Sequence, residues 1–269
     1  MGSIVGCARP FEVRRLTPEA CDAWLERYKA KDGAYTPPNA KKSRAGTSPS
    51  TINKAITFLR GVLDTAVAYG ICQENAAAGL VRIPPKKKVL PIPTQSQFKE
   101  MVAEIRKGAG WGRRASQLVE GMAYSGMRVG EIRLLCWKHI DLEGKILTVP
   151  GTKTDSSLRS IPLFPSFEKL VLRIRSEMGG LKPDPERVVF KAKEASVSLA
   201  KACRKVGVPH MTHHDLRHFF ATTALQKGVD VVTVAGWLGH NDNGVLLLRT
   251  YGHYRAPHAA TMAQVMNFD

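Results

Sequence analysis

The chain has 269 residues, enough for one large domain or two modest ones with cores of their own. Its 40 Lys and Arg against 23 Asp and Glu give a formal charge of +17, which points to a polyanionic partner. Five cysteines without a CxxC pair argue against a disulfide frame or a zinc ribbon, and no apolar run approaches the roughly 18 residues of a membrane span.

The charge is spread along the chain. Residues 1–88 hold 15 Lys and Arg against 7 Asp and Glu, and residues 89–269 hold 25 against 16. Both halves are therefore expected to touch the polyanion. The start shows no signal-peptide pattern, and Met1-Gly2-Ser3 reads as a tag remnant. Together with the cysteine usage, this leads us to expect a soluble protein of a reducing, intracellular compartment.

Residues 16–30 read as a helix, with Thr17 as cap, Pro18 at the first helical position, and Leu16, Ala20, Trp24 and Tyr28 at helical spacing. Residues 31–49 are rich in Gly, Pro, Lys and Ser and read as a loop. Ser50 then opens a second helix, in which Ile52, Ile56, Leu59, Leu63, Ala66 and Val67 form one apolar stripe ending near Gly70. Lys54 and Arg60 lie off that stripe, where they can meet phosphates or simply solvent. The run Pro84-Pro85-Lys86-Lys87-Lys88 breaks the pattern and marks a boundary. The expected division is a helical domain over 1–85, a basic linker over 86–93, and a mixed domain over 94–269.

Within that second domain, helices are predicted over 94–107, 113–124 and 128–136. The β-rich runs Lys145–Val149 and Arg159–Leu163, separated by the turn-like Pro150–Ser157, read as a hairpin. Helices resume over 166–177, 194–206, 214–227 and 230–238. The fold class is mainly α with a small β-sheet.

The run His214-Asp215-Leu216-Arg217-His218 carries the most chemistry. His214 and Arg217 stand three apart on a helix, share a face and can reach one phosphate. His214 and His218 also have the i, i+4 spacing of metal ligands, but a guanidinium inside the site suits an anion better than a cation. His213 and His218 are read as structural. Arg128, after Tyr124-Ser125-Gly126-Met127, opens a helix whose free N–H groups and guanidinium make an oxyanion clamp. Lys153 sits at the predicted hairpin tip. His240 follows a helix end in Leu238-Gly239-His240, and Tyr251 lies in Arg249-Thr250-Tyr251-Gly252-His253-Tyr254. A phenol near pKa 10 becomes a nucleophile only among cations, and these residues supply them.

In this order and context the chain resembles a tyrosine recombinase of the phage-integrase type. That family's signature is Arg, Lys, His-x-x-Arg, His or Trp, then Tyr, matched by Arg128, Lys153, His214 with Arg217, His240 and Tyr251. The stretches SGMRVGEIRLLCWKHID, HHDLRHFFATTALQKGVD, LGH and RTYGHY resemble its boxes, over roughly residues 90–255. The helix at 50–70 with Asn75 resembles the end of the family's core-binding domain. Gly130 stands where Ser is usual, and the stretch from His240 to Tyr251 is slightly long, which keeps Tyr254 as a second nucleophile candidate.

The resemblance implies site-specific DNA strand exchange through a 3′-phosphotyrosyl intermediate, for integration or excision of a mobile element, without metal or nucleotide cofactor. It implies Tyr251 as nucleophile, Arg128 and Arg217 on the nonbridging oxygens, Lys153 as general acid, and His214 and His240 as proton-transfer and phosphate partners. Duplex DNA, clamped between two basic domains, is the implied substrate. The implied active form is a homo-tetramer on two paired sites, with accessory DNA-bending or excision factors as further partners. The implied location is the nucleoid of a bacterial or phage host's cytoplasm. Type IB topoisomerase-like relaxation and non-catalytic DNA-binding regulation are the alternatives.

Overall fold

The computed structural model describes residues 13–30, 47–84, 92–151, 158–180, 182–240 and 244–245. The chain divides into two units, Met1–Val89 and Leu90–Asp269. In the first, a 3-10 turn (Val13–Arg15) leads into α1 (Pro18–Ala30), where Thr17 Oγ1 accepts the Ala20 N–H at 3.3 Å. The second helix, α2 (Pro49–Ala68), begins earlier than its sequence suggests. Ser48 is the cap, its Oγ accepting the Thr51 N–H at 3.3 Å, and Pro49 takes the first helical position, where a missing N–H costs nothing.

The α2 stripe packs as its spacing requires. Ile52, Ile56, Leu63 and Ala66 are buried with Cys21 and Leu25 of α1, and most of them share one cluster with Ala76, Ala77 and Leu80. Arg60 is not a solvent-facing cation. Its guanidinium donates to the carbonyls of Ala77 at 3.0 Å, Ala78 at 2.7 Å and Leu80, clamping the segment that follows α2. Asn75 ties the same turn from the other side, donating to Asp64 Oδ1 at 2.6 Å and accepting the Ala77 N–H at 2.9 Å.

The second unit is built around α4 (Gly112–Ser125), a helix buried on nearly every side. It packs against α3 (Gln95–Arg106), α6 (Pro165–Glu177), α7 (Ser196–Val206) and α8 (His213–Gln226). Leu118, Val119 and Met122 of α4 join Phe98, Met101, Phe167 and Leu199 in one core. Reciprocal caps fix two helix starts: Thr94 with Gln97 for α3, and Thr212 with Asp215 for α8.

Between α4 and the sheet, α5 spans only Val129–Arg133, against the 128–136 expected. It stops because the next residues are used elsewhere. Leu135 O accepts the Val189 N–H at 2.9 Å, and Cys136 forms an antiparallel bridge with Val188. A 3-10 turn (Trp137–His139) follows, then β1 (Ile140–Asp141), β2 (Ile146–Val149) and β3 (Arg159–Pro162). The sheet is antiparallel in the order β1-β2-β3, with Ile146 opposite Pro162 and Val149 opposite Arg159. The β2–β3 pair is the expected hairpin. A two-residue β1 is too short to show an alternation, and the sequence reading missed it. The last described helix, α9 (Val231–Leu238), is capped by Asp230 Oδ1, which accepts the Thr233 N–H at 2.8 Å. Phe220, Ala224, Val234 and Leu238 pack α8 on α9.

Candidate active site

The site is assembled where four segments converge: the α4–α5 junction, β3, the first turns of α8, and the end of α9. Gly126 makes the first of these turns. Its φ of +67° is the left-handed C-cap of α4, and an added Cβ would lie 2.6 Å from Phe220 and 2.8 Å from Leu238. Only glycine fits, and Arg128 follows two residues later in extended backbone (φ −71°, ψ 154°) as the N-cap of α5.

Arg128 is tied to Glu131 by both its backbone and its side chain. Its own N–H donates to Glu131 Oε2 at 2.8 Å, and its Nη1 donates to Glu131 Oε1 at 2.8 Å. The Arg128 side chain remains 44% exposed above a carboxylate that is fully buried. Glu131 also receives a two-pronged contact from Arg159, with Nη1 on Oε1 and Nη2 on Oε2, both at 3.1 Å. Burial by itself pushes the Glu131 carboxyl up. The Arg159 fork and the Arg128 contacts outweigh it, holding the group below its ordinary value.

Arg217 lies in the second turn of α8 with only 4% of its surface exposed. Its Nη1 donates to Gly126 O at 2.9 Å and its Nη2 to Leu238 O at 2.5 Å. One side chain thus joins the SGMR segment, the HHDLR helix and the LGH segment. Burial, then repulsion from Arg128 and Arg159 against the pull of Glu131, brings its pKa down to about 9, so it is still a cation at neutral pH.

His214 lies at the exposed start of α8. Its pKa is lowered by partial burial, then by the charges of Arg217 and Arg128, with Asp215 opposing them. Its ring meets that of His218 edge-on, centroids 4.5 Å apart. His218 is pushed down to about 4 by burial and by His214, with Arg217 and His240 adding to it against Asp215. His213 turns away from this group. Its Nε2 accepts the Ala195 N–H at 3.2 Å and stands 3.4 Å from Glu194. His240 follows Gly239, the left-handed cap of α9, and its N–H donates to Ala235 O at 3.0 Å.

Of the six site residues expected from sequence, the structure brings Arg128, His214, Arg217 and His240 into one electrostatic group. Lys153 and Tyr251, and the second candidate Tyr254, lie outside the described residues. Two residues that sequence reasoning did not single out, Glu131 and Arg159, sit at the centre. Among the described residues, no group of three or more His, Cys, Asp or Glu side chains is placed to hold a metal ion, and no helix is long and apolar enough to cross a membrane. A converging set of cations and lowered histidines around one carboxylate suits a tetrahedral anion at its exposed side.

The model of the phage integrase family matches residues 93–258. The chain belongs to the phage integrase family. Among curated members of wider kinship, it is similar to the ICEBs1 integrase of Bacillus subtilis strain 168, with 24% identity over 241 residues. That alignment covers 77% of this chain and 62% of the relative, so the chain spans less than two thirds of that protein's length. It is similar also to tyrosine recombinase XerC of Xanthomonas campestris pv. campestris strain B100, with 26% identity over 223 residues, covering 81% and 68%. Two solved structures share the fold. The Tn1549 transposon integrase in complex with transposon right end DNA has a TM-score of 0.70 at 18% identity, covering 95% of this chain and 87% of that one. A lambda integrase dimer bound to a COC′ core site has a TM-score of 0.64 at 16% identity, covering 90% and 82%.

Proposed function

We propose that this phage integrase family chain is a site-specific recombinase that cuts and rejoins DNA strands for the integration or excision of a mobile element. The observation that carries the reading is Arg217: one buried guanidinium bonds carbonyls in two distant motifs, and its charge is felt beside Arg128 and His214. Such a cluster has no use for a neutral ligand. A phosphodiester supplies the negative charge that the cluster lacks.

In the proposed reaction, the Tyr251 oxygen attacks the scissile phosphorus and forms a 3′-phosphotyrosyl bond while the 5′-oxygen departs. Arg128 and Arg217 stabilise the charge growing on the nonbridging oxygens. Lys153 delivers the proton to the leaving oxygen, and His214 and His240 serve as proton-transfer and phosphate partners. The bond energy stays in the covalent link, so attack by the 5′-hydroxyl of a partner strand rejoins the DNA. The lowered pKa of His214 fits this role, because a neutral imidazole can accept a proton near pH 7. Residues 94–269 act as the catalytic domain, 1–85 as the core-type DNA-binding domain, and four copies on two paired sites as the active form.

The test uses nicked suicide duplexes, enriched from a randomised pool by binding to the full chain. The wild type is expected to form a denaturation-resistant protein–DNA adduct, and Tyr251→Phe to bind the same duplex without forming one. An adduct that persists in Tyr251→Phe and disappears in Tyr254→Phe moves the nucleophile to Tyr254. No adduct with the wild type overturns the strand-cleavage reading.

A further inference from the structure

Arg159 lies at the start of β3, outside the six positions assigned to the chemistry, yet it makes the densest set of contacts near them. Its Nη1 and Nη2 each meet one oxygen of the buried Glu131 at 3.1 Å. Its Nε donates to Trp237 O, in the last turn of α9, at 2.8 Å. Gly239 lies close against it: a Cβ there would sit 3.1 to 3.2 Å from Arg159 Nη1, Cδ and Cζ and would push the guanidinium by a few tenths of an ångström, while the φ of +65° itself favours glycine. One planar group therefore touches α5 on one edge and the turn leading to His240 on the other.

We propose that Arg159 is a positioning residue that sets Arg128 and the His240 turn at a fixed separation, on the reading that this site cleaves DNA. A lone Arg128 facing a fully buried carboxylate would be drawn down onto it by both oxygens, because an unmatched buried charge is strongly unfavourable. Arg159, only 10% exposed, saturates the lower side of that carboxylate. Arg128 then contributes one Nη donor and keeps 44% of its side chain exposed. The Nε bond simultaneously holds the α9 end against β3, so the guanidinium that frees Arg128 also fixes the backbone one turn ahead of His240. Lysine cannot substitute: its single ammonium has no planar fork and cannot satisfy a carboxylate and a carbonyl on opposite edges at once.

The test is a double-mutant cycle on the full chain with the same nicked duplex, reading cleavage rate at saturating DNA and duplex affinity separately. Arg159→Lys is expected to bind duplex within threefold of wild type and to cleave about 10²-fold more slowly, the loss that a displacement of about 1 Å brings to a positioned group. In an Arg128→Lys background, the Arg159→Lys loss should shrink to less than threefold, because Arg159 acts through Arg128. Full additivity of the two losses, or a cleavage loss matched by an equal loss of affinity, overturns the positioning role while leaving strand cleavage intact. A wild type that forms no adduct fails the strand-cleavage reading instead. A DNA-free measurement supports or sinks the clasp on its own: the Glu131 carboxyl, followed by its 13C shift, should titrate higher in Arg159→Gln than in wild type. An unchanged titration shows that Arg159 does not hold Glu131.

Discussion

Replacing Arg217 with methionine should leave stability nearly unchanged while abolishing cleavage. The variant removes both donors from Gly126 O and Leu238 O. Two buried carbonyls left without partners cost about 2–6 kcal/mol together. On the other side stands the strain of the cation. Its pKa falls from the ordinary arginine range to about 9, through burial and then repulsion from Arg128 and Arg159. That difference amounts to about 5 kcal/mol disfavouring the charged form in the folded chain. The opposing figures nearly cancel, and methionine fills much of the same volume. Arg217→Met is thus expected within about 1 kcal/mol of wild type or slightly more stable, read by urea unfolding and by Tm, where 1 kcal/mol is worth about 2–4 °C for a domain of this size. Added duplex should raise the Tm of wild type more than that of the variant, since bound phosphate relieves the repulsion only where the cation exists. A stability loss of about 3–5 kcal/mol, as when one side of a buried charge pair is removed, would refute the reasoning.

Three further outcomes are expected. Lys153→Ala should cleave about 10²–10⁴-fold more slowly on ordinary DNA yet recover most of its rate when the leaving 5′-oxygen is replaced by sulfur, which needs no proton; equal slowness on both substrates passes the acid role to His240. Lys54→Gln, at an exposed position on α2, should lower the slope of log affinity against log salt by about 0.9, whereas Arg60→Gln should leave that slope alone and loosen the first unit, because Arg60 is spent on three carbonyls. His218 titrates near 4 when folded and near 6.5 when unfolded, so the unfolded chain binds more protons between those values. Stability is then present above about pH 6.5 and declines toward pH 4, and His218→Asn should make that decline shallower in pH-dependent urea melts.

Most of the helices were legible because they bury one face, whereas α4 buries nearly all of its surface. The stripe on α2 follows from its spacing and the β2–β3 hairpin from its β-rich runs, while the caps Thr94, Thr212 and Asp230 emerged only with the structure. The two boundaries that failed did so for different reasons, one local and one tertiary. Ser48 outcompetes Ser50 as the α2 cap because Pro49 follows it, a signal present in the sequence. The loss of the last turn of α5 to a bridge with Val188 is not visible there. At the site, the His-x-x-Arg spacing sets His214 and Arg217 one turn apart on α8, close enough for the Arg217 charge to lower the His214 pKa. Glu131 had a sequence signal, an acidic residue three after an N-cap, which marks a reciprocal cap. Arg159 had none, since a strand arginine becomes informative only when its partners on α5 and α9 are known.

The near-complete burial of α4 also sets where this molecule can be redesigned. Leu118, Val119, Met122 and Ala123 have no solvent side, and the polar positions are taken as well: Glu120 holds Arg106 and Arg173, and Gln117 holds Glu177. Apart from the exposed Arg113 and Arg114 and the half-buried Tyr124, no position of 112–125 takes a larger side chain without displacing a neighbour, and the helix leads directly into Gly126 and Arg128. Libraries aimed at a new DNA preference should therefore vary exposed faces, such as the Lys54 side of α2, and hold this helix constant.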